Sequence, residues 1–106
     1  MKDSIRKWLT EQFGSETELI ADVYAEYVSA TGAKMTELAA AFAARDWDKV
    51  DHVAHTLKGN ALMTGDADFA EAAIGLRTAA KAADAAAAEA AIARLDEMAR
   101  ALQADA

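Results

Sequence analysis

The chain has 106 residues, a length suited to one domain that buries roughly two thirds of its unfolded surface. It contains no cysteine, which excludes a disulfide framework, a thiolate zinc site and a thiol nucleophile. Its formal net charge of -7, with no cluster of Lys and Arg, excludes the basic face that nucleic-acid phosphates require.

Alanine dominates, with aspartate, leucine and glutamate next, proline is absent and β-branched residues do not run together, so the chain is expected to be all-helical. No stretch approaches the roughly eighteen consecutive apolar residues of a membrane span. The N-terminal "MKDSIRKWLTEQFG" has neither an apolar signal core nor a small-residue cleavage site. The expected compartment is the cytoplasm, with no membrane and no nucleic acid as partner.

In chain order, Ile5, Trp8, Leu9 and Phe13 share one face of a short amphipathic helix that Gly14 ends. Ser15 then opens a second helix, with Glu18 three residues on to complete a capping box. Its apolar stripe runs from Leu19, Ile20, Val23, Tyr24, Tyr27 and Val28 to Met35, Leu38 and Phe42, which predicts one helix over about 16–44. Thr31 stands where an apolar residue belongs, and Gly32 beside it marks a place for a bend.

Asp46 is the natural N-cap of a third helix running to about Met63, closed by Gly65. Asp66 or Thr64 caps a fourth that carries Phe69, Ala73, Leu76 and Ala80. Asp84 starts a fifth, with Ile92, Leu95, Ala99 and Leu102 on its inner face. Connections of a few residues make successive helices antiparallel neighbours. The expected fold is therefore all-α, an antiparallel four-helix bundle with an additional short N-terminal helix. It forms a single helical domain over 1–106, with the extra helix at 1–14 and the bundle at 15–106.

The stretch "HTLKGNALMTG" carries the chemistry. With about 100° per residue and His55 at zero, Val50, Val53, Ala54, Leu57 and Ala61 fall in an arc of roughly 160° to 260°, which is the core face. His55 lies on the far side, close to Lys58, Gly59 and Leu62. A mid-helix glycine costs about 1 kcal/mol relative to alanine, and no outward-facing packing demands it. Clearance for something approaching the imidazole is one physical reason; an exposed histidine beside an incidental Lys-Gly pair is the other. Lys58 at i+3 suits an arriving anion, with phosphoryl the leading choice, and neutral imidazole is a competent nucleophile at neutral pH.

"AHTLKGNA", running on to Gly65, closely resembles the signature of histidine-containing phosphotransfer (HPt) domains. The resemblance extends over nearly the whole chain: a long helix with its turn, the motif helix, a Gly turn and two more helices. It implies a phosphorelay carrier, which takes a phosphoryl group from the aspartate of a response-regulator receiver domain and passes it to another receiver. By the same resemblance His55 is the phosphorylated residue, through Nε2. Lys58 balances the phosphoryl charge, Gly59 leaves room for the partner, and Asn60 is a nearby polar group. Leu62 is the apolar docking residue of the motif helix, with Met63 beside it; the alternative packs Leu62 against the N-terminal helix.

A gapless match puts Arg77 nearest the position where some members hold the other ring nitrogen with Gln or Glu. Arginine cannot accept a hydrogen bond from the ring, so Arg77 is expected to face solvent, with the phosphoryl group as its other possible contact. The implied partners are response-regulator receiver domains, a hybrid sensor kinase, or both. No resident cofactor is expected, because the receiver supplies Mg²⁺ and the acidic pocket. With no Gly-rich nucleotide loop, the chain is expected to be a phosphocarrier without ATP-dependent kinase activity of its own. Met1 and the compact N-terminal helix favour a free-standing protein over an excised domain of a hybrid kinase, and a monomer is the default expectation.

Two rival readings are weaker. A docking module that binds receivers without carrying phosphate has no reason to keep His55, Lys58 and Gly59 together. His52 and His55 with Asp48 and Asp51 place metal-ligand types on one helical face, but zinc needs ligands converging from more than one element. Pairing of Asp with His at i, i+4 accounts for them more simply, so no metal site is expected.

Overall fold

The computed structural model describes residues 1–105. Five helices follow one another: α1 (Asp3–Phe13), α2 (Thr17–Ala43), α3 (Trp47–Leu62), α4 (Ala67–Lys81) and α5 (Ala85–Ala104). Helix α3 packs against α2 and α4, while α5 closes the bundle against α4 and α2, and α1 lies on α2. This is the expected all-α bundle with an extra N-terminal helix. No helix among the described residues is long and apolar enough to cross a membrane.

The connections α2–α3, α3–α4 and α4–α5 are built alike. After Ala43, Leu62 and Lys81 the chain reaches a residue with positive φ: Arg45, Gly65 or Ala83. The next N–H, from Asp46, Asp66 or Asp84, donates back to Ala41, Ala61 or Ala79 at 2.9 to 3.0 Å, closing a Schellman turn. The same aspartate stands at the N-cap of the following helix. Asp46 accepts from the Lys49 N–H and Asp84 from the Ala87 N–H, as N-caps do. Phe42 and Trp47 meet edge-on across the first of these turns, with ring centres 6.0 Å apart.

Asp66 keeps the N-cap position, but its side chain accepts no cap hydrogen bond. Its carboxylate is fully buried and accepts instead from Lys2 Nζ and from the Tyr27 hydroxyl, both at 2.7 Å. Burial and this bond to Asp66 push the Tyr27 phenol far above its ordinary range. One side chain therefore ties the start of α1, the middle of α2 and the α3–α4 turn. Gly65 lets α1 come close: a Cβ there would overlap the Trp8 side chain. Of the two caps expected for α4, Thr64 takes no part, since its hydroxyl donates to the Asn60 carbonyl at 2.9 Å.

The capping box expected at the start of α2 does not form. The helix begins at Thr17, and Glu16 occupies the cap position with no side-chain cap bond. After Gly14 the Glu16 N–H reaches the Phe13 carbonyl and the Thr17 N–H the Ser15 carbonyl. That tight turn uses up the chain around Ser15 and moves the helix start one residue downstream. Helix α2 runs through Gly32 without interruption. Thr31 is buried in the core stripe as an apolar residue would be, its hydroxyl without a hydrogen-bond partner among the described residues.

The core contains Ile5, Leu9, Leu38, Val50, Leu57, Phe69, Leu76, Leu95 and Leu102, all essentially removed from solvent. Alanines 70, 72, 73, 79 and 80 of α4 are buried among them, and small side chains of this kind let neighbouring helices approach. The Tyr24 hydroxyl donates to the Leu102 carbonyl at 2.9 Å, fastening the end of α5 to α2.

Candidate functional site

Helix α3 buries Val50, Val53, Ala54, Leu57 and Ala61, the arc its periodicity predicts. His55 is thereby turned to the outside, exposed near the middle of the helix. Gly59, one turn on, is half-buried by its neighbours, yet a Cβ built there would meet nothing within 4 Å. The fold makes no use of the missing side chain, so the space beside His55 is open. Lys58 is half-buried on the same side of the helix. No ion pair holds its ammonium group among the described residues.

The structure corrects the expectation for Arg77. Instead of facing solvent, it reaches from α4 across to α3, its side chain only 25% exposed. Its Nε donates to Asp51 Oδ1 at 2.8 Å, and its Nη1 lies 3.0 Å from His55 Nδ1. Asp51 and His55 are one turn apart on α3, so one guanidinium grips both. The hydrogen bond from Arg77 holds the Asp51 carboxyl below its ordinary range. One side of the imidazole is thus occupied, and Nε2 is the ring nitrogen without a partner among the described residues. The sequence signal for this contact was the alignment of Arg77 opposite the ring together with an aspartate at i-4 from His55.

Asn60 lies about 140° round the helix from His55 and lines a groove of about 470 Å³ between α2 and α3, with Asp22, Val23, Glu26 and Met63. It does not stand beside the imidazole. Leu62 is 53% exposed and Met63 72%, so the alternative in which Leu62 packs beneath the N-terminal helix does not hold. That contact falls to Gly65 and Trp8. Ile74 of α4 is also half exposed. Asp22 and Glu26, which give the α2 side of the groove its negative charge, had no signal in the sequence beyond an ordinary polar stripe. No group of three or more His, Asp or Glu side chains able to hold a metal ion occurs among the described residues.

A family model for the Hpt domain matches residues 22–105. Comparisons with curated proteins and with solved structures gave no match. The matched segment holds helices α3, α4 and α5 whole and most of α2, with the exposed histidine of the motif on α3. The chain belongs to the Hpt domain family, and membership implies histidine phosphotransfer in two-component signalling.

Proposed function

We propose that the protein is a phosphorelay carrier in which His55 accepts a phosphoryl group from the aspartyl phosphate of a receiver domain and hands it to a second receiver. The observation that carries this reading is the pairing of an exposed imidazole at His55 with open space at Gly59 on the motif helix. In the transfer the Nε2 lone pair attacks phosphorus, the P–O bond to the receiver's aspartate breaks, and its electron pair stays on the carboxylate. The ring then loses its Nδ1 proton to solvent. Reversal of the same steps on another receiver unloads the carrier.

Lys58, in no ion pair among the described residues, offers its ammonium to the transferring phosphoryl group. Exposed Leu62 and Met63 supply the apolar part of the surface on which a receiver docks. Asn60 contributes a polar group at the α2 side of that surface. Mg²⁺ and the acidic pocket come from the receiver, so the chain contributes a nucleophile and a docking face and no ATP chemistry. A hybrid sensor kinase is the natural source of the first receiver, and the carrier acts as a monomer in the cytoplasm.

The test is transfer from receiver domains charged with radiolabelled acetyl phosphate to the wild type and to His55→Gln. The carrier reading expects acid-labile, base-stable label on the wild type alone. Binding of receivers with no label on a folded wild type, and equal binding by His55→Gln, identifies a docking module instead.

A further inference from the structure

The contact between Arg77 and His55 can have only one polarity. A guanidinium is a donor with no acceptor and stays protonated in proteins. At 3.0 Å from Arg77 Nη1, His55 Nδ1 must therefore present its lone pair. A neutral imidazole has one donor and one acceptor nitrogen, so the proton then sits on Nε2. The nitrogen that must attack phosphorus has, in this state, no free lone pair. Nδ1 cannot replace it, because its own lone pair is covered by a guanidinium that Asp51 holds at 2.8 Å.

We infer that Arg77, anchored by Asp51, is a latch that holds the resting His55 ring in the tautomer unable to attack, and that a docking receiver must displace it. The inference rests on the carrier reading above. Loading requires Arg77 to leave Nδ1 and the ring proton to move from Nε2 to Nδ1 through solvent. Asp51, one turn back on the same helix, is then a carboxylate within its reach for holding the Nδ1 proton. Attack forms the Nε2–P bond, breaks the P–O bond to the receiver's aspartate, and leaves a phosphoimidazolium that gives up its Nδ1 proton to solvent.

The loaded, neutral ring again has a lone pair at Nδ1, so Arg77 can return. P–N cleavage proceeds through the ring protonated at Nδ1, because imidazole leaves more readily than imidazolate. A guanidinium donating to that nitrogen occupies the place of the proton. The same contact that slows loading therefore protects the loaded carrier from hydrolysis while no receiver is docked. Arg77 acts through the ring, and is a positioning residue.

Long-range nitrogen–proton NMR correlation of the intact protein reads the tautomer directly, with exposed, unclamped His52 as internal control. The latch predicts Nε2–H for His55 in the wild type and a shift toward Nδ1–H in Arg77→Gln, whose amide oxygen can accept from the ring. Asp51→Asn, which frees the anchor from the other side, shifts the ratio in the same direction by less. Loading of Arg77→Gln by a phosphorylated receiver domain becomes roughly fivefold faster, and the phosphohistidine lifetime roughly fivefold shorter, the scale of one net hydrogen bond. Arg77→Lys, which keeps the charge but loses the fork, falls between the two if the latch holds. More Nδ1–H in Arg77→Lys, a donor without an acceptor, than in Arg77→Gln overturns the latch. Nδ1–H in the wild type, or an unchanged ratio and unchanged rates in Arg77→Gln, also overturns it. Wild type that is Nε2–H yet takes no label from any receiver leaves the tautomer clamp standing and sinks the carrier reading instead.

Discussion

Asp66 and Asp51 each accept a hydrogen bond from a cation distant in sequence, Lys2 at 2.7 Å and Arg77 at 2.8 Å, yet the two carboxylates live in opposite surroundings. Asp66 is wholly enclosed and its partners, Lys2 and Tyr27, belong to the framework. Asp51 is about a quarter exposed, and its partner Arg77 also touches a group with chemistry of its own, the ring of His55. A buried carboxylate is stable only while every partner stays in place, so it fixes geometry. A carboxylate at the surface can exchange its partner for water at small cost, so it suits a contact that must open and close. The difference separates the clamped end of the bundle from the face on which the proposed latch would open.

That contrast is broken most severely by Asp66→Ala, which leaves the Tyr27 hydroxyl and the Lys2 ammonium without their shared partner. A loss of about 3 kcal/mol is expected in urea unfolding, moderated by the partial exposure of Lys2. Gly65→Ala attacks the same clamp sterically, through positive φ and overlap with Trp8. Its expected loss is about 2 kcal/mol, with α1 released before the rest of the bundle in hydrogen exchange.

On the other face the sign reverses. Gly59→Leu places a side chain in open space and removes a helical glycine, so stability should rise by about 0.7 kcal/mol while transfer from a receiver falls. A loss of stability there would mean that Gly59 serves packing and not clearance. Asp51→Asn is the mildest change, expected to cost about 0.5 kcal/mol at neutral pH because the pair is partly solvated. Arg77 depresses the Asp51 carboxyl, so the pair's contribution is complete above the ordinary carboxylate value of about 3.9. It is lost as the pH falls through the lower folded value, and wild type and variant should converge in stability there.

Much of the clamp and the face could be read from the sequence, for different reasons. Helix positions followed from apolar stripes and from the recurring Asp that starts each of α3, α4 and α5. The outward turn of His55 followed from the periodicity of a single helix, which depends on nothing outside α3. What escaped depends on how separate helices are rotated against each other. Arg77 lay opposite His55 in the sequence match, but whether it reached the ring or the solvent is decided by the packing of α4 on α3. The use of Asp66 by Lys2 and Tyr27 likewise needs α1 and α2 in place before it has meaning. At Ser15 a local pattern lost to a local competitor, since the turn after Gly14 engages the Ser15 carbonyl and displaces the helix start.

The most direct measurement is label transfer from a phosphorylated receiver domain to the wild type beside His55→Gln, with both proteins shown to be folded to the same stability. Substitution at an exposed position should shift stability by no more than about 0.5 kcal/mol, so loss of label reports the site alone. A phosphorelay carrier gives acid-labile label on the wild type and none on the variant. Label of equal strength on both proteins would contradict the assignment of His55, and label on neither, across several receivers, would contradict phosphotransfer itself.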